Sequence, residues 1–396
     1  KLSALEMDSY IRDIAYENPL DNHSVKIYIA PDGSDTAGNG SIGSPFATFN
    51  KAKAAAQPFI ENMSSNIEII FRGGTYNYTS ALDINQNYSG RNGYQFIVKA
   101  YNGEKVNINF SRTLTGWTYY KDGIYYATLN TGENPMSLYE EGTVAFKART
   151  PNIINEKNQY NRVYITDTTD PFYKFYYKDG ELPNIQNTSN LQVFLWPGGT
   201  GGHYNWSTQL IGVADYNSLE RRITLETKAT YEMGAGSRYY LQGAMELLDA
   251  PGEFYTDTTT NRIYYKPYHA AALLNGLDIP AMTDGFYING TAATPVSNVV
   301  IDGLTISYMD YAKKGIRLNN AANVEVKNCT LYDIGYRGIT IEGYSNSNRI
   351  SNNNIHHTGS DGIAVQGVTG VPEKVSYGNI IENNNVNTVG RFDGNA

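Results

Sequence analysis

The sequence is short of the residues that most metal and redox chemistry needs. It has one cysteine, Cys329, and five histidines. A single cysteine excludes an intrachain disulfide, and no Cys/His cluster has the spacing of a zinc site. Charged residues are only 18% of the chain. No apolar run approaches the ~18 residues that a membrane-spanning helix requires. Lys and Arg (31) are outnumbered by Asp and Glu (39), for a net charge of -8. That balance argues against a nucleic-acid partner, whose binders carry a basic footprint. There is no P-loop, no dinucleotide-binding glycine pattern and no HExxH. The sequence contains no signal peptide and starts at Lys1 rather than Met, as a processed secreted protein or a trimmed chain would.

What is abundant is tyrosine (34) and glycine (38). Short β-favouring runs separated by turn residues predict an all-β protein. The strongest signal is a repeat. Asn298-Val-Val-Ile-Asp-Gly303-Leu-Thr-Ile306 returns as Asn323-Val-Glu-Val-Lys-Asn328-Cys-Thr-Leu331. It returns as Ser347-Asn-Arg-Ile-Ser-Asn352-Asn-Asn-Ile355 and as Gly378-Asn-Ile-Ile-Glu-Asn383-Asn-Asn-Val386. Gly303, Asn328, Asn352 and Asn383 are therefore 25, 24 and 31 positions apart. Each of the first three units continues to a second signal: Gly315-Ile-Arg-Leu318, Gly338-Ile-Thr-Ile341 and Gly362-Ile-Ala-Val365. Such a period, with short strands and Asn/Gly bends, fits a parallel β-helix, in which stacked coils bury what one coil cannot. Val326, Ile350 and Ile381 should form one inward stack. Leu331, Ile355 and Val386 should form a second, and Ile339 with Ile363 a third. Asn328, Asn352 and Asn383 should form an asparagine ladder along the axis. Cys329, inside a repeat, reads as a small buried hydrophobe. An antiparallel sandwich with chance similarity is the competing fold, and the Leu spacing of a leucine-rich repeat is absent.

The rest of the chain divides around this stack. Residues 1–25 read as a helical leader. Residues 26–129 read as the first coils and their cap: a strand at Lys26–Ala30, then a helix over 46–57 between Pro45 and Pro58 that would cover the solenoid end. Residues 130–235 lose the period and read as an inserted antiparallel β-module. Residues 236–396 return to the main coils.

The two ends of this layout resemble a known group. Ile27-Tyr-Ile-Ala-Pro-Asp-Gly-Ser-Asp35, with Gly43-Ser-Pro-Phe-Ala-Thr-Phe49, resembles the N-terminal signature of secreted right-handed β-helix proteins of the pectate-lyase superfamily. Leu247-Leu-Asp-Ala-Pro-Gly-Glu-Phe-Tyr-Thr-Asp257 with Ile263-Tyr-Tyr-Lys-Pro267 is similar to a segment of bacterial glycoside hydrolase family 141-like proteins, as is Gly378–Arg391. The resemblance implies a right-handed parallel β-helix, a bacterial secreted or cell-surface location, and a carbohydrate-active enzyme. It transfers no catalytic residue, because the acids of the resembling group lie on coils after the one that matches Gly390-Arg391. It also implies that a further polypeptide segment could cover the last coil.

The residues themselves offer candidates. A glycosidase needs two carboxyl groups flanking the scissile bond. Glu342 and Asp361, one coil apart, are the best catalytic pair in the repeat. Arg317, Arg337, His357, Gln366 and Arg391 are the candidate substrate-binding residues around them. The bland reading is open beside it: Glu342 pairs with Arg337 in solvent, and Asp361 caps a turn. No metal site is expected, although Asp310, Asp333 and Asp361 leave Ca2+ open as a cofactor. Asp32-Gly-Ser-Asp35 reads as an Asx-held turn rather than a Ca2+ loop, since the closing Glu is missing. The function expected is glycoside hydrolysis of a plant or microbial polysaccharide in a groove along the β-helix. The alternatives are a non-catalytic carbohydrate-binding or adhesive β-helix and a polysaccharide lyase. The partner expected is a polysaccharide or oligosaccharide, with no nucleic acid and no membrane span.

Overall fold

A computed structural model describes residues 24–153, 164–204, 206–367 and 376–391. The expected leader helix lies outside the described residues. The described residues form two compact units, one from residues 24–110 with 281–389 and one from residues 111–280 with 390–391.

The first unit is a solenoid of three parallel sheets. The first sheet stacks Val25–Ile29, Ile67–Phe71, Phe96–Ala100, Val299–Asp302, Glu325–Lys327, Arg349–Ser351 and Ile380–Glu382. The second stacks Gly74–Asn77, Val106–Asn109, Thr305–Met309, Thr330–Ile334, Asn354–Thr358 and Asn385–Asn387. The third stacks Leu82–Asn85, Phe286–Asn289, Ile316–Asn319, Ile339–Glu342 and Ile363–Val365. Because side chains alternate along a strand, each sheet turns its apolar residues inward in files. Ile27, Ile69, Val98, Ile301, Val326, Ile350 and Ile381 are successive register partners. Leu331, Ile355 and Val386 form a second file, and Ile316, Ile339 and Ile363 a third. The predicted stacks therefore form. Burying each such side chain contributes about 1.5–3 kcal/mol. In the last coil, Ile381 and Val386 are 45% and 41% exposed, since no further coil among the described residues lies over them.

The asparagine ladder is real but displaced by one residue. Asn328, Asn352 and Asn383 have φ of 54°, 57° and 53°, the left-handed conformation that asparagine tolerates at a bend. That conformation turns the following residue inward. Asn353 therefore accepts from the Cys329 amide at 2.9 Å, and its amide donates to Asn384 at 2.9 Å and to the Val326 carbonyl at 3.0 Å. A second ladder runs through Asn348 and Asn379, again at 2.9 Å. Cys329 occupies the same inward position one coil earlier. Burial pushes its thiol up to about 12, the behaviour of an inert packing group.

The helix runs Phe49–Ile60, three residues past its predicted end, with Pro58 inside it. Proline in a last turn forfeits one backbone bond. Ile60 is fully buried, which carries the helix through Pro58. Phe49, Ala52, Ala56 and Ile60 enter the solenoid core, Phe49 packing 6.2 Å from Phe71 and 6.1 Å from Phe286. Asp35 holds the helix start. It accepts from the Ala47 and Thr48 amides at 2.9 and 3.0 Å and from the Thr48 hydroxyl at 2.6 Å. The Asp32–Asp35 segment is thus a turn that clamps a helix.

The chain leaves the solenoid after Val106–Asn109 and re-enters at Phe286–Asn289. These are the second and third strands of one coil. The Ala281 amide donates to the Phe110 carbonyl at 2.7 Å where the two stems meet. Residues 111–280 build two eight-stranded sheets, almost wholly antiparallel. This unit is longer than the 130–235 expected. Ser111–Leu114 pairs with Leu277–Pro280, and Ile124–Thr128 pairs with Arg262–Lys266, so strands assigned from sequence to coils belong here. Short alternating strands look alike in sequence whether their partners run parallel or antiparallel.

Candidate functional site

The outward face of the third sheet gathers the polar residues. Strand alternation places Asp83, Tyr287, Arg317, Thr340 and Ala364 in one outward file, each a register partner of the next. Asn85, Asn289, Asn319 and Glu342 form a parallel file beside it. Neighbouring strands stand about 4.8 Å apart, so groups on adjacent coils touch.

A glycine file defines one lip of this face. Gly285, Gly315, Gly338 and Gly362 each precede an inward apolar residue, and a Cβ on the first three would lie 2.2, 2.7 and 2.5 Å from the carbonyl oxygen of the next glycine in the file. Only glycine lets the coils close there. The residue before each glycine is held at the lip: Asp284, Lys314, Arg337 and Asp361. Four consecutive coils thus present an acid, two bases and an acid.

These charges are joined. Lys314 Nζ donates to Glu342 Oε2 at 2.8 Å, and Arg317 Nε donates to Glu342 Oε1. Arg317 Nη1 also reaches Asp284 Oδ2 at 3.3 Å, while Asp284 Oδ1 accepts the Lys314 amide at 3.0 Å. The Arg317 guanidinium lies over the Tyr287 ring, 4.6 Å from its centroid. Burial alone would raise the Glu342 carboxyl, but the bonds from Lys314 and Arg317 outweigh it and hold Glu342 below its ordinary value. Arg317 is raised, its burial outweighed by Glu342. Glu342 is therefore an ionised carboxylate, suited to accept a proton or stabilise positive charge and unsuited to donate a proton. Thr340, between Arg317 and Ala364, is fully buried, and its hydroxyl has no partner among the described residues.

The sequence candidates divide. Glu342 and Arg317 come together. Arg337 pairs instead with Asp361, Nε to Oδ2 at 2.7 Å, with its guanidinium over Tyr336. The expected Glu342–Arg337 pair is thus replaced by Glu342 with Lys314 and Arg317, because the strand carrying Glu342 directs it toward the preceding coil. Gln366 is exposed just past its strand. His357 lies in the second sheet, Nδ1 to Nδ1 with His356 at 2.7 Å, and Arg391 is buried, 5% exposed. The sequence reading missed Asp284, Lys314 and Tyr287. Asp284-Gly-Phe-Tyr-Ile288 is a fourth copy of the Gly-φ-x-φ signal, and it precedes the first recognised repeat. Among the described residues, no group of three or more His, Cys, Asp or Glu is placed to hold a metal ion.

Comparisons with known proteins agree with the architecture. Residues 261–395 match the family described as right handed beta helix region. Residues 225–268 match the GH141 insertion domain. No curated protein matches the sequence. Among solved structures, one titled "Glycoside hydrolase" superposes with a TM-score of 0.78 at 17% identity, covering 93% of this chain and 74% of that one. The complex of XylC with xylose superposes with a TM-score of 0.50 at 15% identity, covering 93% of this chain and 54% of the other. The chain is a right-handed β-helix protein. More narrowly, it is GH141-like, with the matching insertion segment lying in residues 111–280.

Proposed function

We propose that the chain is a carbohydrate-active enzyme, a glycoside hydrolase that takes a polysaccharide along the outward face of the third sheet. The helix Phe49–Ile60 is then the cap of the first coil, and residues 111–280 are the inserted antiparallel β-module of such an enzyme. One observation carries the reading of the site. A single guanidinium, Arg317, bridges two carboxylates, Glu342 and Asp284, on an outward face. Two hydrogen bonds across a guanidinium keep the nearest carboxylate oxygens within about 8 Å. Glycosidase acids stand roughly 5–9.5 Å apart. In this reading Glu342 is the ionised base or nucleophile. Asp284 replaces Asp361 as the second carboxyl, held on the same guanidinium. Tyr287, its ring backed by Arg317, offers a face to the sugar.

Reducing-end release from a panel of soluble polysaccharides tests this. Glu342→Gln and Asp284→Asn should each lower it at least a hundredfold while the fold persists. Unchanged activity in both variants would remove this pair from the reaction. Lys314 and Arg337 on the lip, with Arg317 on the outward file beside them, favour a second reading: a lyase that neutralises a uronate carboxylate. Such a lyase would give products absorbing near 235 nm and no net hydrolysis.

A further inference from the structure

The unit formed by residues 111–280 carries a row of tyrosines that the site above does not use. Tyr126, Tyr264 and Tyr255 are directly opposed across three antiparallel strands. Their exposure rises outward along the row. Tyr255 is 4% exposed and packs against Tyr264, centroids 6.2 Å apart at 29°. Tyr264 and Tyr126 are half-buried, with centroids 5.9 Å apart. At the edge strand Thr118–Lys121 the register shifts between Tyr119 and Lys121. A bulge re-aims the side chain it contains. Here it brings Tyr120, 45% exposed, edge-on to Tyr264 at 5.2 Å. Two cations lie on the same rings: Arg262 over Tyr126 at 4.6 Å and Lys121 over Tyr120 at 5.5 Å.

The chemistry of this face selects its partner. Its outer side chains are Thr118, Tyr120, Tyr126, Thr128, Arg262 and Tyr264, while Ile124, on the same face, is buried with Tyr255 in the core beneath. Tyr and Arg also anchor protein interfaces, but there they sit in pockets that become fully dry. These groups instead combine flat apolar rings with hydroxyl and guanidinium tips. A pyranose has the matching surface, a face of C–H groups rimmed by hydroxyls. The inner rings fix the outer ones, so little side-chain entropy is lost on binding.

We propose that this tyrosine row is a carbohydrate-binding surface, built from none of the residues of the Glu342 face, that holds a pyranose polysaccharide chain. The substrate class rests on the hydrolase reading, but the binding does not. Affinity electrophoresis of the full chain, in gels containing soluble xylan, mixed-linkage β-glucan or polygalacturonate, tests it. The wild type should be retarded by at least one of the three. The double variant Tyr120→Ala/Tyr126→Ala should lose at least tenfold in apparent affinity, and Tyr120→Phe/Tyr126→Phe should keep most of it. Release of reducing ends from a trisaccharide should be equal in all three proteins. Arg262→Glu, which truncates no ring, gives an independent variant should the double alanine protein unfold, and it should weaken retardation by polygalacturonate most. No retardation of the wild type by any of the three, or full retardation of the double alanine variant, overturns the proposal. Hydrolysis without retardation would leave the hydrolase standing and remove this surface. Retardation without hydrolysis would do the reverse.

Discussion

Glu342 and Arg317 sit on neighbouring coils, and the carboxylate of one accepts from the Nε of the other. The pair is half-buried, so each charge depends on its partner more than a surface ion pair would. Glu342→Gln should lower stability by about 1–3 kcal/mol, the cost of leaving a partly desolvated cation under-satisfied. Because Glu342 is held below its ordinary value, its contribution is complete above the unfolded carboxylate range and is lost as pH falls through the folded value. Urea midpoints of wild type and Glu342→Gln should therefore converge at low pH. Arg317→Lys should not restore activity, since an ammonium does not bridge two carboxylates as a guanidinium does.

Glu253 predicts the opposite slope. It is buried, and although the Ala250, Arg149 and Asp249 amides donate to it, burial dominates and raises it to about 7. Its folded value exceeds its unfolded one. Its contribution is thus full below about pH 4.5 and is lost as pH rises through 7. The glutamine variant should show a flatter urea midpoint between pH 4.5 and 7.5 than wild type.

Gly338 tests the close approach of the coils. A Cβ there would lie 2.5 Å from the Gly362 carbonyl oxygen and 2.6 Å from Ile355 Cγ2. Gly338→Ala should destabilise by at least the ~1–3 kcal/mol of an overpacked core. Gly43→Ala, with nothing within 4 Å, should leave the thermal midpoint near that of wild type.

The inward ladder gives a fourth test. Asn353, 2% exposed, satisfies groups on both neighbouring coils. Asn353→Ala should cost about 1–3 kcal/mol by chemical denaturation. Asn352→Gly, at φ 57°, keeps a conformation glycine adopts freely and should cost far less.

How much of this was legible depended on whether the signal was periodic. The stacks through Val326, Leu331 and Ile339 follow from spacing alone. Spacing does not say which of two adjacent asparagines turns inward, because that is set by the backbone angle at Asn352, which the sequence does not print. The interrupted coil was harder. Strand Phe286–Asn289 closes a coil begun at Phe96, and its Gly-φ-x-φ signal stands without the preceding two strands of its coil, which lie about 180 residues upstream. Asp284 and Lys314 escaped notice for the same reason, since their importance lies in what the next coil brings alongside. Glu342 was found as a candidate because it follows a strong repeat, and Arg317 because it faces outward in one. His357 was misplaced into that group because the residue spacing does not reveal which of three sheets a bend residue joins.

The splice at Phe110 and Ala281 bears on how the molecule can be made and remade. The two strands that share this coil are contiguous in space yet far apart along the chain, so the solenoid has one slow closure among many fast local ones. Closing a loop of ~170 residues rather than ~5 costs about 3 kcal/mol in chain entropy if the loop is unfolded. A segment that folds first brings its own ends together, as Ser111–Leu114 pairing with Leu277–Pro280 does. That order of events removes most of the cost. It also means that a short turn from Phe110 to Ala281 should yield a shorter, continuous solenoid that folds faster than the parent chain.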